Sequence, residues 1–177
     1  MKITIPVRRI KFVSEEKERW VRGERSDCID PYCRNYPGSY GFGEALVGKY
    51  FERQGYRWIH HDFNVFGGNR LGKYPIAEQV IRNCIGADKY EAIRSLYTVY
   101  KSVEEPDLLI YKPDFSEIRF AESKRVDTRD KLRESQIRGI ALLSLLFQCE
   151  VEVFEIVQEG KIIHAPDEIV WDFGKRE

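Results

Sequence analysis

Apolar residues recur along this chain in two rhythms, helical spacing and strand alternation, and these divide it into elements. Across 42–54, Phe42, Ala45, Leu46, Tyr50 and Phe51 share one broad face, and Gly55 follows where a helix C-cap belongs. Residues 56–65 alternate Tyr, Trp, Ile, Phe and Val with polar neighbours, which predicts a strand, and Gly67-Gly68-Asn69 predicts a turn. Helices are expected at 75–84 and 88–101, the second with Tyr90, Ile93, Leu96, Tyr97 and Tyr100 in phase. Two further strands, 107–112 and 117–125, flank the hairpin loop Pro113-Asp114-Phe115-Ser116. A helix over 130–147 carries Leu132, Ile140, Leu143 and Phe147 on one stripe, and 150–157 alternates as a last strand. Residues 1–40 read as an irregular charged arm, with room for a strand or two in 1–13 and a Cys-, Asp-, Pro-, Asn- and Gly-rich loop at 27–40. The C-terminal stretch has no clear period. Strands interleaved with helices make the chain an α/β protein, read as one domain over 41–177 with a helical insertion at about 70–104.

Composition narrows the class. With 177 residues, 42% apolar and 33% charged, the chain is long enough for a real core and has the balance of a soluble protein. Its longest apolar run, 140–147, is far short of the roughly 18 residues needed to cross a bilayer, and the N-terminus lacks a signal-peptide pattern. A cytoplasmic protein without membrane association is therefore expected. Net charge is zero, which argues against a coat of nucleic acid. Locally, Arg119, Lys124, Arg125, Arg129, Lys131, Arg133 and Arg138 make a basic stripe, which serves equally as a phosphate track or as a solvated face of mixed ion pairs. Cys28 and Cys33 have no second pair at ligand spacing, so free thiols are the expectation rather than a zinc site.

The hairpin permits a geometric deduction. If Lys112 and Glu117 flank the turn, paired residue numbers sum to a constant, and Asp107 falls opposite Glu122 with Cβ atoms about 4.5–5.5 Å apart. Glu122 and Lys124 then share a face with Ile118, Phe120, Leu109 and Tyr111. Two carboxylates so placed repel by roughly 3–4 kcal/mol at an effective dielectric near 20. Lys124 relieves part of this, and a divalent cation with hard oxygen ligands relieves it directly. The plain alternative is a strand-end ion pair facing solvent.

Glu105-Pro106-Asp107-Leu108, then Phe120-Ala121-Glu122-Ser123-Lys124, then Asp130-Lys131-Leu132-Arg133-Glu134-Ser135-Gln136 form an ordered set. It resembles the VRR-NUC (virus-type replication-repair nuclease) branch of the PD-(D/E)xK superfamily over about residues 105–157. The resemblance implies a restriction-endonuclease-like mixed central sheet flanked by helices. It also implies a metal-dependent DNA endonuclease that leaves 5′-phosphates. Asp107, Glu122, Lys124, Gln136 and Glu44 would be the catalytic set. Asp107, Glu122, the Ser123 carbonyl and Glu44 would hold Mg2+ or Mn2+. Glu44 reads equally as a first-turn glutamate favoured by the helix dipole, and Gln136 as a helix-border amide. Arg125, Arg129, Lys131 and Arg133 are candidate phosphate contacts. Branched or Holliday-junction-like DNA, cut by a symmetric dimer in DNA repair, is the substrate expected of a short relative. The alternatives are a restriction or defence endonuclease, a non-catalytic nucleic-acid-binding module on the same fold, and an interaction protein whose hairpin mimics the motif. The chain departs from the family in its longer spacing between Lys124 and Asp130, and 1–40 and 64–104 have no counterpart. Of His60 and His61, alternation sends one inward, and neither is expected to be catalytic.

Overall fold

The structure is a computed structural model that describes residues 2–66, 68–96, 99, 102–172 and 174. In chain order the elements are β1 (Lys2–Phe12), α1 (Ser14–Val21), α2 (Pro31–Asn35), α3 (Phe42–Glu52), β2 (Arg57–His60), α4 (Pro75–Ile85) and α5 (Ala87–Ser95). There follow β3 (Leu108–Tyr111), β4 (Ile118–Arg125), a 3-10 turn (Val126–Thr128), α6 (Glu134–Phe147), β5 (Val151–Gln158) and β6 (Glu168–Asp172). Among the described residues six strands form one mixed sheet, in the order β2-β3-β4-β5-β1-β6. The pair β2–β3 and the hairpin β3–β4 are antiparallel, and β4, β5 and β1 run parallel. A parallel pair needs a crossover, which α6 supplies between β4 and β5.

Strand alternation sends side chains to two cores. On one side Leu109, Ile118, Phe120 and Val153 pack with Ala77, Val80 and Ile81 of α4, Tyr90 and Ile93 of α5, and Ile137, Ile140 and Leu143 of α6. On the other, Leu108, Ile110, Ala121, Phe154 and Ile156 pack with Phe42, Ala45, Val47 and Phe51 of α3 and with Trp20, Cys28 and Cys33. The region read as a helical insertion thus covers one face of the sheet. Among the described residues no helix is long and apolar enough to cross a membrane.

The hairpin has the deduced register, with Leu108 across from Ala121 and Tyr111 across from Ile118. Other expectations change. The strand for which residues 1–13 left room is present as one eleven-residue strand, 2–12, and it lies inside the sheet and not in an irregular arm. Arg8 pairs with Glu152 and Arg9 with Glu155, both on β5, so its charged positions are satisfied within the sheet. Residues 2–6 pair with β6 and 7–12 with β5, and Pro6, which has no N–H to give, sits at the changeover. Within 27–40, read as loop, Asp30 caps α2 by accepting from the Cys33 N–H at 2.8 Å, with Pro31 at its first position.

The strand expected over 56–65 stops at His60, because His61 is in the left-handed region at φ 64°. The helix expected from 130 begins at Glu134, and the one expected over 88–101 ends at Ser95, while Tyr97 and Tyr100 of its stripe lie outside the described residues, as does Gly67 of the expected turn. Glycine permits two close approaches. A Cβ on Gly43 of α3 would meet Ser123 Oγ at 2.6 Å, and one on Gly139 of α6 would meet the Glu104 carbonyl oxygen at 1.8 Å. The bare backbones let both helices close on the ends of β3 and β4.

Asp127 ties α1 to the end of β4. Its carboxylate accepts from Arg125 at 2.6 and 3.0 Å and from Lys17 of α1 at 2.7 Å. Those bonds, Arg125's first, hold its pKa down at about 2 against an ordinary 3.8. A depressed carboxylate stabilises the fold above its unfolded pKa and loses that contribution as pH falls through the folded one. Asp127→Asn is expected to cost about 2 kcal/mol at neutral pH, roughly 4–8 °C in Tm for a chain of this size. In thermal melts the gap from wild type should shrink between about pH 4 and pH 2. An equal gap at both ends of that range would contradict this assignment.

Candidate metal and catalytic centre

The β3–β4 register brings Asp107, in the bend just before β3, alongside Glu122 on β4. The Asp107 N–H donates to Glu122 Oε2 at 3.2 Å, and the Ser123 N–H donates to Asp107 Oδ2 at 2.9 Å. Glu122 is 0% exposed although it is a carboxylate, so every oxygen lone pair needs a partner inside the protein. Lys124 Nζ lies 2.7 Å from Glu122 Oε1, and Gln136 Nε2 donates to that same oxygen at 2.6 Å. Gln136 sits in the first turn of α6, where its Oε1 also accepts from the Arg133 N–H at 3.0 Å. One amide therefore caps the helix and locks the carboxylate. The glutamine is buried within the site, 4% exposed.

Lys124 is 7% exposed and reaches a second acid, Asp130 Oδ2, at 3.4 Å. The longer spacing after Lys124 thus still returns Asp130 to the ammonium. Glu44, in the first turn of α3, is half-exposed, and its charge reaches Asp107. It contributes field without joining a chelating group: among the described residues no three His, Cys, Asp or Glu side chains are gathered closely enough to hold a metal ion. Ser123 is buried, with its N–H on Asp107 and its Oγ without a hydrogen-bond partner.

The electrostatics follow from burial. Desolvation, then the Glu44 charge, raises Asp107 to about 6, against the opposing pull of the Ser123 N–H, Lys124 and His60. Burial first and the Asp107 charge second push Glu122 well above its ordinary value. Burial pulls Lys124 down, but the charges of Glu122, Asp107 and Asp130 outweigh it and leave the ammonium raised. One fixed cation faces two buried acids with a third acid nearby, so the centre is short of positive charge. Hard oxygen donors short of counter-charge are of the kind that suits Mg2+ or Mn2+, and Asp107 and Glu122 are the candidate side-chain ligands.

The segment before β3 is clamped as well. Glu105 accepts from the Val65 and Phe66 N–H groups at 2.5 and 2.8 Å and from Asn64 at 3.2 Å. Burial still raises it to about 7. His60 is the inward histidine, 3% exposed, with Nδ1 2.9 Å from the Asp107 carbonyl oxygen. Because a carbonyl only accepts, Nδ1 carries the proton. His61 turns outward and stacks on Tyr32 at 4.2 Å. A cleft of about 210 Å³ opens onto Asp107, lined also by Tyr40, His60, His61, Phe63, Glu105 and Pro106. Sequence spacing offered no signal for Tyr40, which comes to Asp107 from the segment before α3.

The candidate phosphate contacts divide. Arg125 is committed to Asp127, and Arg133 lies 2.5 Å from Glu104 in an exposed pair. Arg129 and Lys131 are exposed, on the segment that leaves β4 next to Lys124. In comparisons with protein-family models, curated proteins and solved structures, nothing matches this chain.

A centre organised around unrelieved carboxylate charge carries a cost in stability. Asp107→Asn keeps an acceptor for the Ser123 N–H and removes one buried charge. Without metal it should raise the Tm by about 2–4 °C, corresponding to roughly 1 kcal/mol. A lower Tm in calorimetry would show that the charge stabilises the fold and that the repulsion assigned here is absent.

Proposed function

We propose that this protein is a metal-dependent DNA endonuclease of the PD-(D/E)xK type with a restriction-endonuclease-like sheet. One observation carries the reading: Asp107, Glu122 and Lys124 converge at the end of a hairpin, with Glu122 fully buried and held by Lys124 and Gln136. A strand-end ion pair of no chemical use would lie in solvent, where its desolvation cost vanishes. The order of the motifs along the chain, which resembles the VRR-NUC family, supports the same reading.

Asp107 and Glu122 would hold Mg2+ or Mn2+, with the Ser123 carbonyl as a further oxygen donor and Glu44 adding negative field. The chemistry such an ion would supply is activation of water and relief of charge on the phosphorus centre. Lys124 places its ammonium where an attacking hydroxide or the developing phosphorane charge needs a cation. Asp130 steadies that ammonium from its outer side, and Gln136 keeps Glu122 in a single orientation. Arg129 and Lys131 are placed to meet backbone phosphates, giving affinity that falls with salt and ignores sequence. Branched or junction-like DNA and a symmetric dimer belong to the proposal through the family resemblance. A second reading, a DNA-binding module without catalysis, is favoured by one observation, the lack of a three-member metal cluster among the described residues.

Nicking of supercoiled plasmid and of a branched duplex tests this. With Mg2+ or Mn2+ the wild type should cut and leave 5′-phosphates, and EDTA should abolish cutting. Lys124→Ala should lower the rate by about 10²–10³-fold with an unchanged circular dichroism spectrum. Equal rates for the two proteins, or cutting that survives EDTA, would sink the assignment. Tight binding with no cleavage would select the second reading.

A further inference from the structure

The segment before α3 carries an aromatic cluster that the catalytic reading leaves unused. Tyr36 and Tyr40 lie 4.3 Å apart, Tyr32 stacks on Tyr36 at 5.2 Å, and Tyr32 stacks on His61 at 4.2 Å with planes 6° apart. Aromatic rings usually gather like this to fill a core, but these do not. None of the three tyrosines belongs to either buried cluster, and Tyr36 and Tyr40 are 44% and 38% exposed. The cluster borders the cleft that ends on Asp107, since Tyr40, His60 and His61 line both.

A second observation points inward. His60 lines the cleft, and its Nε2 is buried with no hydrogen-bond partner. With Nδ1 engaged by the Asp107 carbonyl, Nε2 is the ring nitrogen left without a hydrogen-bonding partner. At about 210 Å³ the cleft falls below the roughly 300–1,000 Å³ of pockets for drug-sized ligands, which suits a single planar ring system. Charge continues from it: Arg125 Nη1 donates to the Ser39 carbonyl at 3.4 Å, joining the tyrosine segment to the strand end from which Arg129 and Lys131 project.

We infer that the cleft and its tyrosines form a nucleobase-stacking subsite. It takes one unpaired base next to the phosphodiester at Asp107, with His60 Nε2 as the hydrogen-bonding group and Tyr40 as the ring at the cleft wall, backed by Tyr36. The identity of the ligand rests on the nuclease reading above, whereas the subsite itself can be tested without catalysis. Unpaired bases suit it because every base has a π-face, and in a continuous duplex those faces are already stacked.

The test is fluorescence anisotropy in EDTA, where nothing is cut, with labelled oligothymidine and an abasic strand of the same length and charge. The wild type should bind oligothymidine about tenfold more tightly than the abasic strand. Tyr40→Leu and, separately, Tyr36→Leu should shrink that difference while the circular dichroism spectrum stays unchanged. Equal affinity of the wild type for the two strands, no binding of either, or a difference untouched in both folded variants would overturn the inference. The same proteins are then given Mn2+ and plasmid. Cleavage without base preference removes the subsite and leaves the nuclease reading standing. Base preference without cleavage keeps the subsite and removes the nuclease.

Discussion

The structure turns on one buried carboxylate. Glu122 has no access to solvent, and its oxygens are taken by an ammonium from its own strand, an amide from α6 and the main-chain N–H of Asp107. A charge in that position costs several kcal/mol unless each partner is in place. The partners come from three separate segments, so satisfying Glu122 fixes how the hairpin, the helix and the bend before β3 meet. The close contact of Gly139 with the Glu104 carbonyl and of Gly43 with Ser123 serves the same assembly, since each lets a helix backbone come down onto the strand ends.

That arrangement stops short of neutrality. Lys124 divides its charge between Glu122 and Asp130, while Asp107 feels Glu44 and has only the Ser123 N–H and more distant cations in compensation. A protein under selection for stability alone would replace this set with packed apolar residues, as on the rest of that sheet face. Asp107 brings this set to the floor of the cleft, and under the proposed function the shortage of positive charge is the property a divalent cation would answer.

Much of the centre was legible in the sequence because strand pairing is arithmetic. A four-residue turn after Lys112 sets which residues face each other, and strict alternation then puts Glu122 and Lys124 with Phe120. Gln136 was legible through the ordered set of motifs that ends on it. What stayed hidden was polarity satisfied at long range. The charges of β1 look like a solvated arm until β5 supplies Glu152 and Glu155. The helix start at Glu134 depends on the Gln136 side chain bonding the Arg133 N–H, a contact no periodicity reports. The meeting of Tyr40 with His60 and Asp107 joins segments far apart in the chain, and spacing carries no trace of it. Arg125 read as a phosphate contact because its partner, Asp127, is visible only once the 3-10 turn folds back.

The central claim is that Asp107 and Glu122 take up a divalent cation, and calorimetric titration with Mn2+ in buffers of different ionisation enthalpy tests it most directly. Because burial raises the pKa of both acids, Mn2+ binding is expected to release protons and to be lost in Glu122→Gln. Binding that Glu122→Gln leaves unchanged, or no binding at millimolar Mn2+, would contradict it.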